Sequence, residues 1–239
     1  MPISSRLKIS DPDQFKAALR PTSDRFTITG RGPFSAQITQ VAFADLMLQR
    51  GDETLSRTWN VCVPADRIAL TFVIAGTGLS VRGVLPDRDE ALVLPPGLDT
   101  MHTLYGPTVW GAMSLPPDRL TEQSVALTGR DWTPPGRVLG LKARPAPLTR
   151  LQRLHASVTR LAETTPALLA HPNVARGLEQ AVIEAFVGCL DQADYRAESE
   201  PFRRRTQVMK RFRDFVECHA DEGLFVSDAA PLSACRPGR

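Results

Sequence analysis

The side chains able to do chemistry are few and scattered. Histidine occurs at 102, 155, 171 and 219. Metal-dependent chemistry on β-strands needs two or three histidines with a carboxylate on neighbouring strands, typically including a His-x-His pair. Only His102 falls in the strand-rich part of the chain, so no metal site is expected. No Gly-x-Ser-x-Gly elbow is present, and no cysteine sits beside a histidine in a readable motif. Cys62, Cys189, Cys218 and Cys235 are far apart and form no Cys-x-x-Cys pair, which points to reduced thiols. Gly76-Thr77-Gly78 lacks the third glycine of a dinucleotide fingerprint and leads into a strand-like run, so a hairpin turn is expected there. These absences predict no catalytic residue, no metal and no cofactor; the chain reads as a non-enzyme.

Two constellations are suited to binding. Leu55, Arg57, Trp59, Val61 and Val63 share one face of a strand by period two, and that face is otherwise apolar. Arg57 is therefore turned inward beside Trp59. A buried guanidinium needs a partner, and an anionic ligand or an internal carboxylate would each serve; a register slip of one residue would instead turn it outward. His102 and Trp110 are further ligand-binding candidates, set against ordinary packing. The second constellation is cationic: Arg203, Arg204, Arg205, Lys210, Arg211 and Arg213. The net charge of +3 resides wholly in residues 201–239, because the first 200 residues balance. A basic tail on a neutral body suits contact with nucleic-acid phosphate; a solvated helix face is the alternative.

The elements that must hold these residues follow from periodicity. With 42% hydrophobic and 23% charged residues the composition is that of a globular protein. No apolar run is long enough for a membrane helix, and the first residues lack a signal-peptide pattern. A cytoplasmic location is expected. Residues 10–20 read as a short helix capped by Asp11 or Asp13. From residue 24 to 115 period-two runs recur: Phe26–Ile28, Phe34–Leu48, Thr54–Val63, Ile68–Ile74, Leu79–Leu85, Ala91–Leu94, Thr100–Tyr105 and Thr108–Leu115. About eight short strands at this spacing predict an antiparallel barrel or sandwich, and a closed barrel leaves room for a small ligand. Arg50-Gly51-Asp52 is expected to be a turn. A helix from Pro116 to about Thr128 and a Pro/Gly-rich connector follow. Helices are then expected at 148–163, on the stripe Leu148, Leu151, Leu154, His155, Val158 and Leu161, and from Pro172 to about 190. Joined by a short loop, they should lie antiparallel.

Arg203 to Val226 is the last regular stretch. Val208, Phe212, Phe215, Val216 and His219 form one helix face, Gly223 closes it, and Ser227-Asp228 is a plausible cap for a second helix. This is how a helix-turn-helix opens. Pro231, Pro237 and Gly238 follow, and residues 229–239 cannot supply a recognition helix. A DNA-binding domain begun but incomplete in this chain is expected.

Phe212-x-x-Phe215-Val216-x-x-His219-Ala220-Asp221, followed by Leu224-x-Val226-x-Asp228, resembles the first helix of the DNA-binding half of AraC-type (AraC/XylS) transcriptional regulators. The order of parts extends the likeness over most of the chain. The resemblance implies an α+β protein: an antiparallel, cupin-like β-barrel or jelly roll, an antiparallel helix pair and the first helix of a helix-turn-helix domain. It implies an effector-sensing domain at 1–145, a dimerising helix pair at 146–195, and a linker with a truncated DNA-binding domain at 196–239. Implied partners are a small effector, a second copy of the chain, and DNA, bound weakly or non-specifically by this chain. A stand-alone ligand-binding or dimerisation module without specific DNA binding is the alternative.

Overall fold

Asp11 caps the first helix, α1 (Pro12–Ala18), by accepting the backbone N–H groups of Asp13 at 2.7 Å and Gln14 at 3.2 Å. In this computed structural model the described residues are 2–19, 22–87, 89–133, 136–191 and 193–197, with Phe215 and His219. Two compact units are distinguished, Met1–Ala197 and Glu198–Arg239.

The first unit contains two antiparallel sheets. One comprises β1 (Ile3–Ile9), β3 (Ala36–Ala42), β4 (Met47–Glu53), β10 (Thr108–Leu115), β6 (Ile68–Gly76), β8 (Ala91–Leu94), β11 (Leu139–Lys142) and β12 (Asp194–Ala197), in that spatial order. The other comprises β2 (Thr22–Ile28), β5 (Arg57–Cys62), β9 (Asp99–Leu104) and β7 (Leu79–Val81). The sheets face each other: Ile38, Val73, Leu92 and Trp110 of the larger share an apolar cluster with Trp59, Val81 and Leu104 of the smaller. Both sheets are open, so the sandwich alternative holds and closure into one hydrogen-bonded barrel does not occur.

The other face of the large sheet is covered by helices. These are α2 (Pro117–Thr128), α3 (Pro145–Thr164), α4 (Pro166–Ala170) and α5 (Pro172–Asp191). Each begins with a proline, whose missing N–H costs nothing in a first turn. Arg150 near the start of α3 pairs with Glu184 near the end of α5 at 3.7 Å, so these two helices run antiparallel. Leu148, Leu151 and Val158 of α3 and Val182, Ile183 and Phe186 of α5 pack on Leu48, Leu70, Phe72, Met113 and Leu115. Carboxylates tie the layers together: Glu179 accepts the backbone N–H groups of Asp45 and Leu46 at 2.8 and 3.1 Å, and Glu163 accepts the Thr39 hydroxyl at 2.6 Å.

Two expected turns are corrected. Arg50-Gly51-Asp52 is continuous strand within β4; the chain turns only after Glu53. Glycine is there for a close approach, since a Cβ on Gly51 would lie 2.3 Å from the Trp110 indole. Gly76-Thr77-Gly78 joins β6 to β7, which belong to different sheets, so it carries the chain across the sandwich and closes no hairpin. Positive φ at Gly76 and Gly78, +100° and +117°, makes that crossing possible. In the second unit, the His219 N–H donates to the Phe215 carbonyl at 3.2 Å and the two rings lie 4.4 Å apart, an i, i+4 helical pair. Arg203, Arg204, Arg205, Lys210, Arg211 and Arg213 lie outside the described residues.

Candidate ligand cavity between the sheets

Alternation along the strands decides which side chains enter the space between the sheets. From the large sheet come Met47 and Gln49 of β4, Ala69 and Thr71 of β6, and Trp110, Ala112 and Ser114 of β10. From the small sheet come Arg57, Trp59 and Val61 of β5, Leu79 of β7 and His102 of β9. They surround a cavity of about 120 Å³. Arg57, Trp59, His102 and Trp110, the four residues singled out in the sequence, all line it. Cys62, Pro64 and Arg67 lie at one end, where Cys62 is exposed.

Arg57 is 1% exposed and its charge is met inside the protein. Its Nε and Nη2 both donate to Glu53, the latter at 2.7 Å, in a bidentate ion pair. Of the partners the sequence left open for Arg57, the internal carboxylate is the one found. Glu53 is also the acceptor for the Trp110 indole N–H at 2.6 Å. Gly51 permits this, because only a residue without a Cβ lets the indole lie across β4 toward Glu53. The guanidinium is enclosed by rings, with its carbon 4.8 Å from Trp59, 5.5 Å from Phe26 and 5.9 Å from Phe15.

Three lining side chains keep a buried polar atom without a partner among the described residues: Nη1 of Arg57, Nε1 of Trp59 and Nε2 of His102. Buried polar atoms are normally paired, because leaving one unpaired costs its hydration. Their rings and charge are close together, with the Trp59 and His102 centroids 6.1 Å apart. Burial, reinforced by the Arg57 charge, pushes the His102 pKa down to about 3, so its imidazole is neutral near pH 7. The site thus has two N–H groups and one imidazole nitrogen without partners, in walls where apolar and aromatic side chains outnumber Gln49, Arg67, Thr71 and Ser114.

Glu53 is the site residue that sequence reasoning missed. Its signal was available as Glu53-x-x-x-Arg57, an acid four residues before the inward arginine. Reading a turn at residues 50–52 displaced it from the strand face where it acts. Among the described residues, no three His, Cys, Asp or Glu side chains gather where they could hold a metal ion. No helix among them is long and apolar enough to cross a membrane.

No family model matches the sequence, and no curated protein matches it. Among solved structures, the AraC-like transcriptional activator CuxR superposes over 98% of this chain and 85% of its own, with a TM-score of 0.55 and 13% identity. The fold is AraC-like. Smaller shares of the chain, 40% and 39%, match an RmlC-like cupin from Shewanella frigidimarina and a mutant of Bacillus subtilis oxalate decarboxylase OxdC. The cupin match covers 93% of that chain with a TM-score of 0.28 and 13% identity; the decarboxylase match covers 29%, with 0.28 and 9%. In this chain the fold is an α+β arrangement of antiparallel sheets followed by helices, with the cavity between the sheets.

Proposed function

We propose that this chain senses a small molecule as an AraC-type transcriptional regulator, with the inter-sheet cavity as its effector site. The observation that carries the reading is a mostly apolar cavity whose lining includes Arg57, Trp59 and His102, each with a buried polar atom that has no partner among the described residues, in an AraC-like fold. Such a cavity, mostly apolar with a few placed polar groups, has the character of a small-molecule site. At about 120 Å³ it is of the order of the engineered 150 Å³ protein cavity known to admit benzene. The effector is accordingly about the size of one ring. Two of the three tryptophans, Trp59 and Trp110, line the cavity, so occupancy should change tryptophan fluorescence. Phenol is a suitable first probe: a saturable change is expected for the wild type and none for Ala112→Leu, whose side chain would fill the space. A response identical in both proteins would refute the cavity as the site.

The output side of the proposal rests on the basic tail. Arg203, Arg204, Arg205, Lys210, Arg211 and Arg213 are assigned to DNA phosphates, in keeping with the charge balance. Phosphate contacts release counterions, so six of them would weaken binding about a thousandfold between 50 and 200 mM salt. Fluorescence anisotropy on a labelled duplex measures this; a salt-independent affinity would remove the assignment. A homodimer is proposed through the outer sides of α3 and α5, which carry Arg150, Arg153, Ser157 and Arg176 in solvent. Light scattering at tens of micromolar protein should give twice the 26.2 kDa chain mass, and a monomer mass would exclude it.

A further inference from the structure

We infer that the cavity selects neutral rings bearing a hydrogen-bond acceptor over carboxylates of the same shape. This rests on the reading of the cavity as the effector site and specifies its chemistry. An inward arginine ordinarily suggests an anionic ligand, but here the counter-ion is built in. Both Arg57 Nε and Nη2 are occupied by Glu53, and the same carboxylate takes the Trp110 N–H. With Arg57 and Glu53 both buried to 1% exposure, the site is already balanced in charge.

What remains unmet is hydrogen bonding. Arg57 Nη1 and Trp59 Nε1 are donors without acceptors, and His102 Nε2 can take either role according to tautomer. A carbonyl, amide or phenolic oxygen would satisfy them without adding charge. A carboxylate would satisfy them equally while bringing a second negative charge toward Glu53, uncompensated and stripped of water. The other lining cation does not supply compensation. Arg67 at the end of the cavity donates to the Ser114 hydroxyl at 2.9 Å and to the carbonyls of Asp45 and Ser114, with Asp45 and Asp66 nearby. The aromatic walls formed by Trp59 and Trp110 suit a planar ring stacked or edge-on.

Benzamide and benzoate have nearly the same size and planarity and differ in charge, so they isolate the effect. Titrations of the full chain near neutral pH, read by tryptophan fluorescence and calorimetry, should show benzamide bound at least about tenfold more tightly. Ala112→Leu serves as the blocked control for both compounds. In Glu53→Gln the Arg57 charge is released, and the preference should turn toward benzoate by about tenfold or more. The double variant Glu53→Gln/Arg57→Gln carries neither charge and should again favour benzamide. Should Glu53→Gln fail to fold by circular dichroism, the wild-type pair and the double variant still decide. Benzoate binding as well as benzamide in the wild type would overturn the charge argument and leave the cavity reading intact. Absence of saturable binding by both would overturn the cavity reading and this inference with it. A folded Glu53→Gln with unchanged preference would show that Glu53 does not set the selectivity.

Discussion

The large sheet is covered by helices on one face and by the small sheet on the other, and only the second covering leaves a cavity lined by buried polar side chains. On the helix face, His155 of α3 is fully buried; its Nε2 meets the Gln49 carbonyl at 2.9 Å, while its Nδ1 has no partner among the described residues. Thr159 returns its hydroxyl to the His155 carbonyl at 3.0 Å, Glu163 accepts from Thr39 of β3, and Glu179 accepts from the β3–β4 connection. On the opposite face Arg57, Trp59 and His102, which line the cavity, each keep one buried polar atom without a partner among the described residues. The same strands build both faces: Leu48, Leu70, Phe72, Met113 and Leu115 alternate with Gln49, Ala69, Thr71, Ala112 and Ser114. Period two thus turns one side of each strand to the helices and the other to the cavity.

The largest expected test of this division is acid. Burial, aided by Arg50, pushes the His155 pKa down to about 4, and His102 is held at about 3. Both are depressed below the ordinary value, so the folded protein binds fewer protons than the unfolded chain in the interval between them. Stability is therefore complete above about pH 6.5 and falls as pH drops below it, by about 1.4 kcal/mol per pH unit for each histidine. Urea unfolding at pH 7 and pH 5 measures the loss. His155→Gln and His102→Gln should each remove about half of the histidine-dependent part. Saturating benzamide should leave the His155 contribution unchanged and alter only that of His102. Equal effects on both would show that the two faces are not separate.

Much of this arrangement was legible in the sequence. The alternation from Phe26 to Leu115 named the strands of the sandwich, and the stripe from Leu148 to Leu161 named α3, because local periodicity and burial agree there. Arg57 and Trp59 were legible for the same reason: polar or bulky residues on an apolar face must have a use. Three strands were not. β1 is almost wholly exposed, its Ile3, Leu7 and Ile9 sharing a face of which only Ile9 is buried, while β11 and β12 are four residues each, and pairing with distant segments holds them in place. Glu53 and Gly51 were missed because Arg-Gly-Asp resembles a turn locally, and only the position of Trp110 in space explains the glycine. The openness of the sheets also depends on strand order, which periodicity does not encode.

Two glycines, one on each face, give the next test. A Cβ on Gly111 would stand 2.6 Å from the Phe72 ring and 3.0 Å from His155. Both neighbours are buried beneath the helices and have no space to yield, so Gly111→Ala should cost about 1–3 kcal/mol of stability. Benzamide affinity should stay within about threefold, since overpacking there leaves the cavity walls in place. A Cβ on Gly51 would stand 2.3–2.5 Å from three atoms of the Trp110 indole. The ring must move off Glu53, so Gly51→Ala should cost a similar amount and also weaken benzamide about tenfold or more. Urea unfolding and fluorescence titration on both variants separate stability from binding. Equal loss of affinity in the two would contradict the assignment of functions to faces.

The smallest expected effect is the most direct statement about the cavity. Ala112 lies on β10 between Trp110 and Ser114, all facing the small sheet. Leucine adds three carbons there, and a void of about 120 Å³ gives them apolar surface to cover without displacing packed atoms. Filling an existing void usually stabilises by about 0.5–2 kcal/mol, the low end applying where unpaired polar atoms are sealed in. Arg57 Nη1 and Trp59 Nε1 would be sealed in by Ala112→Leu, so a gain below about 1 kcal/mol is expected with complete loss of the phenol and benzamide responses. The same substitution on the helix face has no void to fill: Ala185→Leu on α5, 2% exposed, should destabilise by about 1–3 kcal/mol. Opposite signs of stability change for one chemical change, read from the urea midpoints, would establish that the inter-sheet face gives up packing to keep space for a ligand. Destabilisation by both would mean that the cavity walls have no room for three carbons, and the site could not admit a ring.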